Sequence, residues 1–340
     1  MKRIEWVDII KGISSIFVVI SHVEVTQNNF FLIKTIYLFC MPLYFFVSGY
    51  MYKKRENIKE HIKNKSYQLL APYFSLLILF LPISIFLFPS YTNLFISDSL
   101  LRDLGRYFTG RSTVNSITGS IWFLPCLFFT QIIYNIIRIK FKPNTVHFIV
   151  FIMLILAYAN YIYFKPFWIP FFIHLTLMSI PIYHMGHLYR FYNIKDNIII
   201  LSVCTLIAIL GVAYIPENVN NIVDTFYGVP FFSLFCSIVL TLVVKNISIG
   251  IFKYNLIPSL FINLGKASIV IMAFHLTFLT ILEKLLHINS ILVVIFSTLI
   301  PLGIYFIFNY FTITRALFMG KKEDSRLIKQ KIFSYFKLKP

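Results

Sequence analysis

The chain has 340 residues, of which 58% are hydrophobic and only 13% are charged, and its mean hydropathy is +0.79. Soluble domains carry about 25% charged residues, so this composition excludes a water-soluble fold with an ordinary charged surface. The net charge of +18 would suit nucleic acid, but the distribution of the basic residues indicates a different cause. The four cysteines lie inside apolar segments, without the spacing of metal ligands or of a disulfide framework.

Apolar segments of about twenty residues follow one another along the chain, and a helix of this length crosses a bilayer. Their apolar residues do not alternate with polar ones, as they would in a transmembrane β-barrel. The sequence therefore predicts an all-α, polytopic membrane bundle of about ten transmembrane helices. The predicted spans lie at residues 6–23, 30–52, 69–90, 119–137, 146–163, 168–189, 197–215, 228–248, 263–282 and 289–312.

The basic residues predict the orientation of the bundle, because Lys and Arg concentrate in cytoplasmic loops. With the N-terminus in the cytoplasm, the inner segments hold 23 of the 31 basic residues and the outer loops hold six. Both termini are then cytoplasmic, with a transmembrane domain at 1–314 and a basic tail at 315–340. This asymmetry accounts for the net charge without a nucleic-acid partner, and the protein is expected in the cell membrane as a multi-pass chain.

The first predicted helix carries ionisable residues on a single face. At 100° per residue, Asp8, Lys11, Ser15 and His22 lie on one stripe about 60° wide. Ionisable groups inside a membrane are costly and face the bundle interior or a wet cavity. Lys11 and His22 are separated by about 16 Å at ~1.5 Å per residue, so Lys11 lies toward the cytoplasm and His22 toward the outside. A structural ion pair between Asp8 and Lys11 is an alternative that does not exclude function.

Short motifs follow one another in a fixed order along the chain. The first helix contains a basic residue, ten intervening positions and a histidine, which here are Lys11 and His22. Later segments are 41–50 (MPLYFFVSGY), 69–73 (LLAPY), 120–124 (SIWFL), 185–190 (MGHLYR) and 264–268 (LGKAS), the last followed by His275. Together they resemble the membrane-bound acyltransferase family 3, and the resemblance covers nearly the whole chain. It departs at Gln68, where the family often has Arg.

The resemblance implies transfer of an acyl group, commonly acetyl, from cytosolic acetyl-CoA to a hydroxyl of a carbohydrate such as a cell-envelope polysaccharide or a lipid-linked glycan. His22 is the expected catalytic residue, because an imidazole titrates near neutral pH and can act as a general base toward a sugar hydroxyl. An acyl-histidine intermediate is also compatible, and the sequence does not choose between them. Lys11 and Asp8 are expected to organise the conduit below His22.

The phosphates of acyl-CoA need cations on the cytoplasmic side, and six basic residues lie between positions 53 and 65. Lys63 and Lys65 are the expected donor-binding residues, although cytoplasmic topology alone also explains such a run. Four further residues are expected to line the cavity or bind substrate: Ser48, Trp122, His275 and Glu24. No metal is expected, because His184 and His187 lack a nearby carboxylate.

The alternative function is a membrane transporter or flippase for a glycan or another anionic substrate, in which Lys11 and His22 would line the path. Many transporters are built from internal repeats, and the sequence shows no convincing repeat. A non-catalytic membrane scaffold would not explain the polar stripe of the first helix. These comparisons favour the enzyme.

Overall fold

The computed structural model describes residues 4–87, 99–111, 117–164 and 168–337. Within these ranges it contains sixteen α-helices and no β-strand, apart from an isolated bridge between Asn221 and Phe226. The helices are α1 Glu5–Ser21, α2 Glu24–Gln27, α3 Phe30–Tyr50, α4 Ile58–Lys65, α5 Ala71–Leu87, α6 Leu100–Phe108, α7 Phe123–Lys140, α8 Pro143–Ile162, α9 Thr176–Phe191, α10 Ile198–Tyr214, α11 Phe232–Lys253, α12 Pro258–Lys266, α13 Ser268–Leu279, α14 Ser290–Tyr310, α15 Thr312–Phe318 and α16 Lys322–Lys337.

Short 3₁₀ and π segments extend several of these helices. The 3₁₀ turn Gly119–Trp122 leads into α7, and the turn Pro170–Leu175 leads into α9. The π-helical segment Ser66–Leu70 joins α4 to α5, so that Ile58–Phe86 forms one helical path, and a second π segment, Thr280–Leu285, follows α13. The helix that contains the predicted span 69–90 therefore starts earlier than expected, and the last residues of that span, 88–90, lie outside the described ones.

Asparagine side chains begin four of the helices. Asn29, Asn57, Asn197 and Asn289 are the N-caps of α3, α4, α10 and α14, and each side chain accepts a hydrogen bond from a backbone N–H of the first turn. These amide oxygens satisfy backbone donors that have no partner within the helix. The caps fix where the chain leaves each loop and enters the bundle.

Six described helical segments are long and apolar enough to cross a membrane: Phe30–Tyr50, Ile58–Phe86, Gly119–Lys140, Pro143–Ile162, Phe232–Lys253 and Ser290–Tyr310. The pair α12 and α13 forms a seventh if its 80° bend is taken as a break in one span. The helices α1, α9 and α10 have only 16 or 17 residues. Each of the ten predicted spans thus contains helix, and the helical membrane bundle is confirmed. The count of ten is not confirmed, and the orientation stays a prediction.

Burial separates the central helices from those that face lipid. In the apolar 18-residue stretch of Gly119–Lys140, which contains α7, 83% of the residues are buried inside the protein. In the corresponding stretches of α8 and α14, only 33% are buried. Large apolar side chains such as Phe148, Phe151 and Ile307 are exposed on α8 and α14. In a bilayer this exposed apolar surface contacts lipid tails, so α7 belongs to the core of the bundle and α8 and α14 to its rim.

Two helix crossings bring backbone directly against backbone. A Cβ atom at Gly12 of α1 would collide with the carbonyl oxygen of Phe261 in α12, and one at Gly265 with that of Asp8. The same reciprocal contact joins α3 to α9, where Gly49 meets the carbonyl of Tyr183 and Gly186 meets that of Phe46. Small residues permit such approaches in membrane bundles, where close packing replaces the hydrophobic effect.

Replacing Gly265 by Ala is expected to destabilise the bundle, because the added methyl group must displace the backbone of α1 at Asp8. Overpacking of this kind costs typically about 1–3 kcal/mol, and the purified protein should show a lower Tm in detergent. The matched control is Gly303→Ala in α14, where nothing lies within 4 Å of the new Cβ; its Tm should hold or rise. Equal melting temperatures for the two variants would contradict the crossing as described.

The predicted orientation makes a separate test possible. Reporter fusions after Lys65, Lys142 and Lys339 are expected to report cytoplasm, and a fusion near Thr113 is expected to report the outside, because the basic segments remain inside. Lys339 and Thr113 lie outside the described residues. An external reporter at Lys339 would mean an odd number of spans.

Candidate active site

A cavity of about 520 Å³, here called the inner cavity, lies between α1, α3, α4, α7 and α13. One face of α4 and of the π segment after it supplies polar side chains at helical spacing: His61, Asn64, Lys65 and Gln68. The other basic side chains on its wall are Lys11, Lys53 and Arg55, and none of the described residues that line it is Asp or Glu. The inner cavity therefore has the electrostatics of an anion-binding site.

A second cavity of about 320 Å³, here called the outer cavity, lies beyond the other end of α1. Its wall includes Ser21 and His22, the aromatic rings of Tyr37 and Trp122, and part of the loop between α10 and α11. That loop contributes three polar residues, Asn220, Asn221 and Asp224. None of the described residues that line the outer cavity is Lys or Arg, so the two cavities differ in charge.

The same helices line both cavities at different depths. On α1, Val7 and Lys11 face the inner cavity and Ser21 and His22 face the outer one. The antiparallel α3 contributes Tyr44 and Ser48 to the inner cavity and Tyr37 and Cys40 to the outer, and α13 contributes Met272 and then Leu276. Ser120, in the 3₁₀ turn before α7, lines both. The cavities are therefore arranged end to end and meet at Ser120.

The Ser120 hydroxyl donates a hydrogen bond to the backbone carbonyl of Met272. This bond ties the turn before α7 to α13 at the level where the two cavities meet. Because Met272 also lines the inner cavity, the bond fixes two sides of the junction relative to each other. The separation of the cavities at this point thus depends on a contact between segments far apart in sequence.

Lys11 is held in place by the ion pair that the sequence offered as a structural alternative. Its Nζ lies 3.0 Å from an oxygen of Asp8, which is only 3% exposed. The Lys11 carbonyl accepts hydrogen bonds from Ser15 Oγ at 2.9 Å and from the Tyr44 hydroxyl at 3.1 Å. Asp8 holds Lys11 through this ion pair, and of the two residues only Lys11 lines the inner cavity. The ion pair and a place on the cavity wall are compatible.

His22 is the C-cap residue of α1 and lies next to His275 of α13. Their ring centroids are 5.3 Å apart. His275 is fully buried, and its Nδ1 bonds the carbonyl of Ile271 at 3.0 Å, one turn earlier in the same helix. That bond assigns the proton to Nδ1 and leaves Nε2 without a hydrogen-bond partner among the described residues. His275 thus lies beside His22 and lines neither of these two cavities, where the sequence had placed it, because α13 turns its Met272 and Leu276 toward them.

The remaining predicted residues divide between the cavity walls and the protein surface. Ser48 and Lys65 line the inner cavity, and Trp122, which is buried, lines the outer cavity. Lys63 is exposed on another face of α4 and lines neither cavity. Glu24 is also exposed outside both cavities, and its backbone N–H donates to Glu283 Oε1 at 2.9 Å.

Several residues of the two walls were not singled out by sequence. His61, Asn64 and Gln131 line the inner cavity, and His61 Nε2 and Gln131 Oε1 are buried without a hydrogen-bond partner among the described residues. The helical spacing of His61, Asn64, Lys65 and Gln68 could have indicated the face of α4. No local pattern marks Gln131, because its position depends on how α7 packs.

The histidines considered for metal binding form a hydrogen-bonded cluster. The Tyr134 hydroxyl lies 2.7 Å from His184 Nδ1 and 2.6 Å from His187 Nδ1, and His147 Nδ1 lies 2.9 Å from His184 Nε2. In the part of the chain that the structure describes, no group of three or more His, Cys, Asp or Glu residues is arranged to hold a metal ion.

Comparison with known proteins identifies the family. A family model for an acyltransferase domain, Acyl_transf_3, matches residues 4–310 and so includes both cavities. No curated protein matches the chain, and no solved structure matches it. Because the family model covers most of the 340 residues, the chain belongs to the acyltransferase 3 family and is a membrane acyltransferase by that membership.

Proposed function

We propose that the protein is a membrane O-acyltransferase that moves an acyl group, acetyl in the simplest case, from acyl-CoA in the inner cavity to a glycan hydroxyl in the outer cavity. The glycan would be a cell-envelope polysaccharide or a lipid-linked precursor of one. The observation that carries the proposal is the end-to-end arrangement of two cavities of different charge that share α1, α3 and α13 and meet at Ser120.

The inner cavity suits the donor because acyl-CoA combines anionic phosphates with a less polar thioester arm. Lys53, Arg55 and Lys65 supply cations for phosphate oxygens, and such charge-assisted hydrogen bonds are stronger than neutral ones. The wall toward Ser120 includes the apolar side chains of Ile121 and Leu124. An acyl-CoA with its phosphates at these basic residues and its thioester at Ser120 would therefore place its charged and its less polar parts against cavity walls of corresponding polarity.

The chemistry can follow either of two balanced routes. In the first, His22 removes the proton from the glycan hydroxyl, the oxygen attacks the thioester carbonyl, the C–S bond breaks, and the CoA thiolate takes the proton from the imidazolium. In the second, a ring nitrogen of His22 attacks the thioester carbonyl, the C–S bond breaks and CoA leaves as the thiolate. The glycan hydroxyl then attacks the acyl carbon, the C–N bond to His22 breaks, and the hydroxyl proton passes to the thiolate. Both routes need His22 to reach the thioester carbonyl as well as the glycan hydroxyl.

The position of His275 supports a role in orienting His22 rather than in contacting substrate. It lies beside the His22 ring and lines neither cavity. Its Nδ1 bond to Ile271 directs Nε2 away from its own helix backbone. A neighbouring imidazole that restricts the His22 ring would reduce the number of conformations to be lost on reaching the transition state.

A transporter or flippase is the alternative that the sequence left open. Passage of a whole glycan would need one wide path, whereas the described walls of the two cavities share a single residue, Ser120. Transfer of a small acyl group needs only that the two substrates approach each other there. The geometry therefore favours group transfer.

The direct test uses the purified protein in lipid nanodiscs with acyl-CoA on one side and envelope glycan on the other. Release of CoA thiol and formation of alkali-labile ester on the glycan are measured together, and both should require the protein. Thiol release without glycan ester would mean that the glycan is not the acceptor. Movement of unmodified glycan between the faces of the bilayer, without ester formation, would instead support the flippase.

In the same assay His22→Asn is expected to reduce transfer by ~10²- to 10⁴-fold, the usual loss when a general base is removed. The control is His287→Asn, an identical change at an exposed loop residue with a positive φ of 51° that Asn tolerates. Activity is expressed per unit of monodisperse protein, so that a folding defect is not counted as a catalytic one. Near-normal turnover of the His22 variant would remove this residue from catalysis.

Lys65→Gln is expected to raise the apparent KM for acyl-CoA roughly tenfold, because it removes one charge-assisted hydrogen bond to a donor phosphate. The KM for the glycan should not change, and the difference between wild type and variant should shrink at high salt. The matched control is Lys59→Gln, which removes the same charge from the exposed face of α4.

Lys63→Gln tests the sequence-based prediction that Lys63 binds the donor together with Lys65, since Lys63 is exposed and does not line the inner cavity. A rise in KM for Lys63→Gln as large as that for Lys65→Gln would mean that the donor phosphates lie outside the inner cavity, on the surface of α4. Equal KM values for the Lys65 and Lys59 variants would contradict the donor site.

A further inference from the structure

The outer cavity differs from the inner one in the charges on its wall. Of the described residues that line it, Asp224 is the single carboxylate and none is Lys or Arg. Arg102 and Arg106 of α6, and Arg111 just after it, are not among its lining residues. Among the described residues, the outer cavity thus presents an anionic ligand with no cationic side chain and with one like charge, and like charges in proximity disfavour association.

The loop that carries Asp224 is fixed to α11 by side-chain hydrogen bonds. Ser233 Oγ donates to Asn218 Oδ1 at 2.8 Å, and Asn220 Nδ2 donates to Ser237 Oγ at 3.1 Å. The turn is closed by backbone bonds in both directions between Asn221 and Phe226, at 2.8 and 3.0 Å. A ligand that binds this loop would meet groups already in position, so little order has to be gained on binding.

Asn220 contributes a hydrogen-bond acceptor that nothing in the described protein uses. The residue is only 1% exposed and lines the outer cavity, and its Oδ1 has no hydrogen-bond partner among the described residues. Buried polar groups are normally satisfied, because leaving one unpaired is unfavourable. An O–H donor from a ligand in the cavity would satisfy this oxygen.

Asp224 lies at the exposed rim of the same cavity, where Asn221 Nδ2 donates to its Oδ2 at 2.6 Å. An ionised carboxylate has about four acceptor positions, so this bond leaves capacity for ligand hydroxyls. Tyr37 and Trp122 add aromatic surface to the wall. Acceptors for hydroxyl groups beside aromatic rings match a pyranose ring, which presents O–H donors at its edge and C–H groups on its faces.

We propose that Asn220 and Asp224 form the recognition site for the acceptor, and that they select an uncharged, hydroxyl-rich sugar and exclude sugars bearing carboxylate or phosphate groups. Asn220 accepts a hydrogen bond from a hydroxyl deep in the outer cavity, and Asp224 accepts one at the rim. That the bound sugar is the acyl acceptor rests on the proposed function. Its binding preference follows from the residues of the cavity wall and can be measured without catalysis.

The experiment measures binding of neutral hexasaccharides of glucose, galactose and N-acetylglucosamine, and of the matching glucuronate and galacturonate oligomers, to the purified wild-type protein. The signal is intrinsic tryptophan fluorescence, and Trp122→Phe identifies the part that comes from the outer cavity. At low salt, a neutral sugar should bind roughly tenfold more tightly than its acidic counterpart, and high salt should reduce this ratio. Equal or tighter binding of the acidic sugars, or no binding of any neutral one, would overturn the proposal.

Two variants connect the preference to its residues. Asp224→Asn, at an exposed position expected to fold normally, should raise affinity for the acidic sugar several-fold and so reduce the ratio. Its control is Glu217→Gln, which removes an exposed carboxylate from the same loop but outside the cavity wall and should leave the ratio unchanged. Asn220→Ala should weaken binding of the neutral sugar roughly tenfold while acyl-CoA binding stays normal.

The outcomes separate this inference from the proposed function. Selective binding of neutral sugars that depends on Asp224, without any acyl transfer, would support the recognition site and contradict the acyltransferase reaction on these sugars. Transfer that proceeds equally to neutral and acidic glycans, with the Asp224→Asn and Glu217→Gln variants behaving alike, would support the reaction and overturn the recognition site.

Discussion

Backbone contact between α1 and α12 at Gly12 and Gly265 determines where the first helix lies. Because no side chain separates these helices, α1 cannot shift toward α12 and can move away only by losing the contact. The 80° bend after α12 then directs α13 along α1, which places His275 beside His22. The positions of both histidines therefore depend on two glycines outside the outer cavity, Gly12 of α1, which follows the inner-cavity residue Lys11, and Gly265 of α12.

The parts of the site that sequence could predict are those set by a single helix. The stripe of Asp8, Lys11 and His22 follows from 3.6 residues per turn, and the structure places Lys11 and His22 on the walls of two different cavities. Helix positions could be predicted for the same reason, because continuous apolar runs are local features. Ser48 and Trp122 were found through motifs, and both line a cavity wall.

The parts that sequence could not predict depend on contacts between distant segments. Lys63 and Lys65 look equivalent in the basic run, yet only Lys65 lines the inner cavity, because the packing of α4 against α7 decides which face points inward. The bend between α12 and α13 occurs within the predicted span 263–282, which carries no proline. Asn220 and Asp224 lie in a loop whose polar composition resembles that of any connection, and its docking onto α11 gives these residues a cavity to line.

The difference in charge between the two cavities has a consequence for how the proposed reaction responds to the membrane potential. Moving one elementary charge across a membrane potential of 100 mV changes its free energy by about 2.3 kcal/mol. In the proposed reaction the phosphates remain with the basic residues, the acyl group passes Ser120 in one direction, and the hydroxyl proton returns to the thiolate in the other. The exchange carries no net charge, so the enzyme would work equally well in an energised and in a depolarised membrane, powered by the thioester alone.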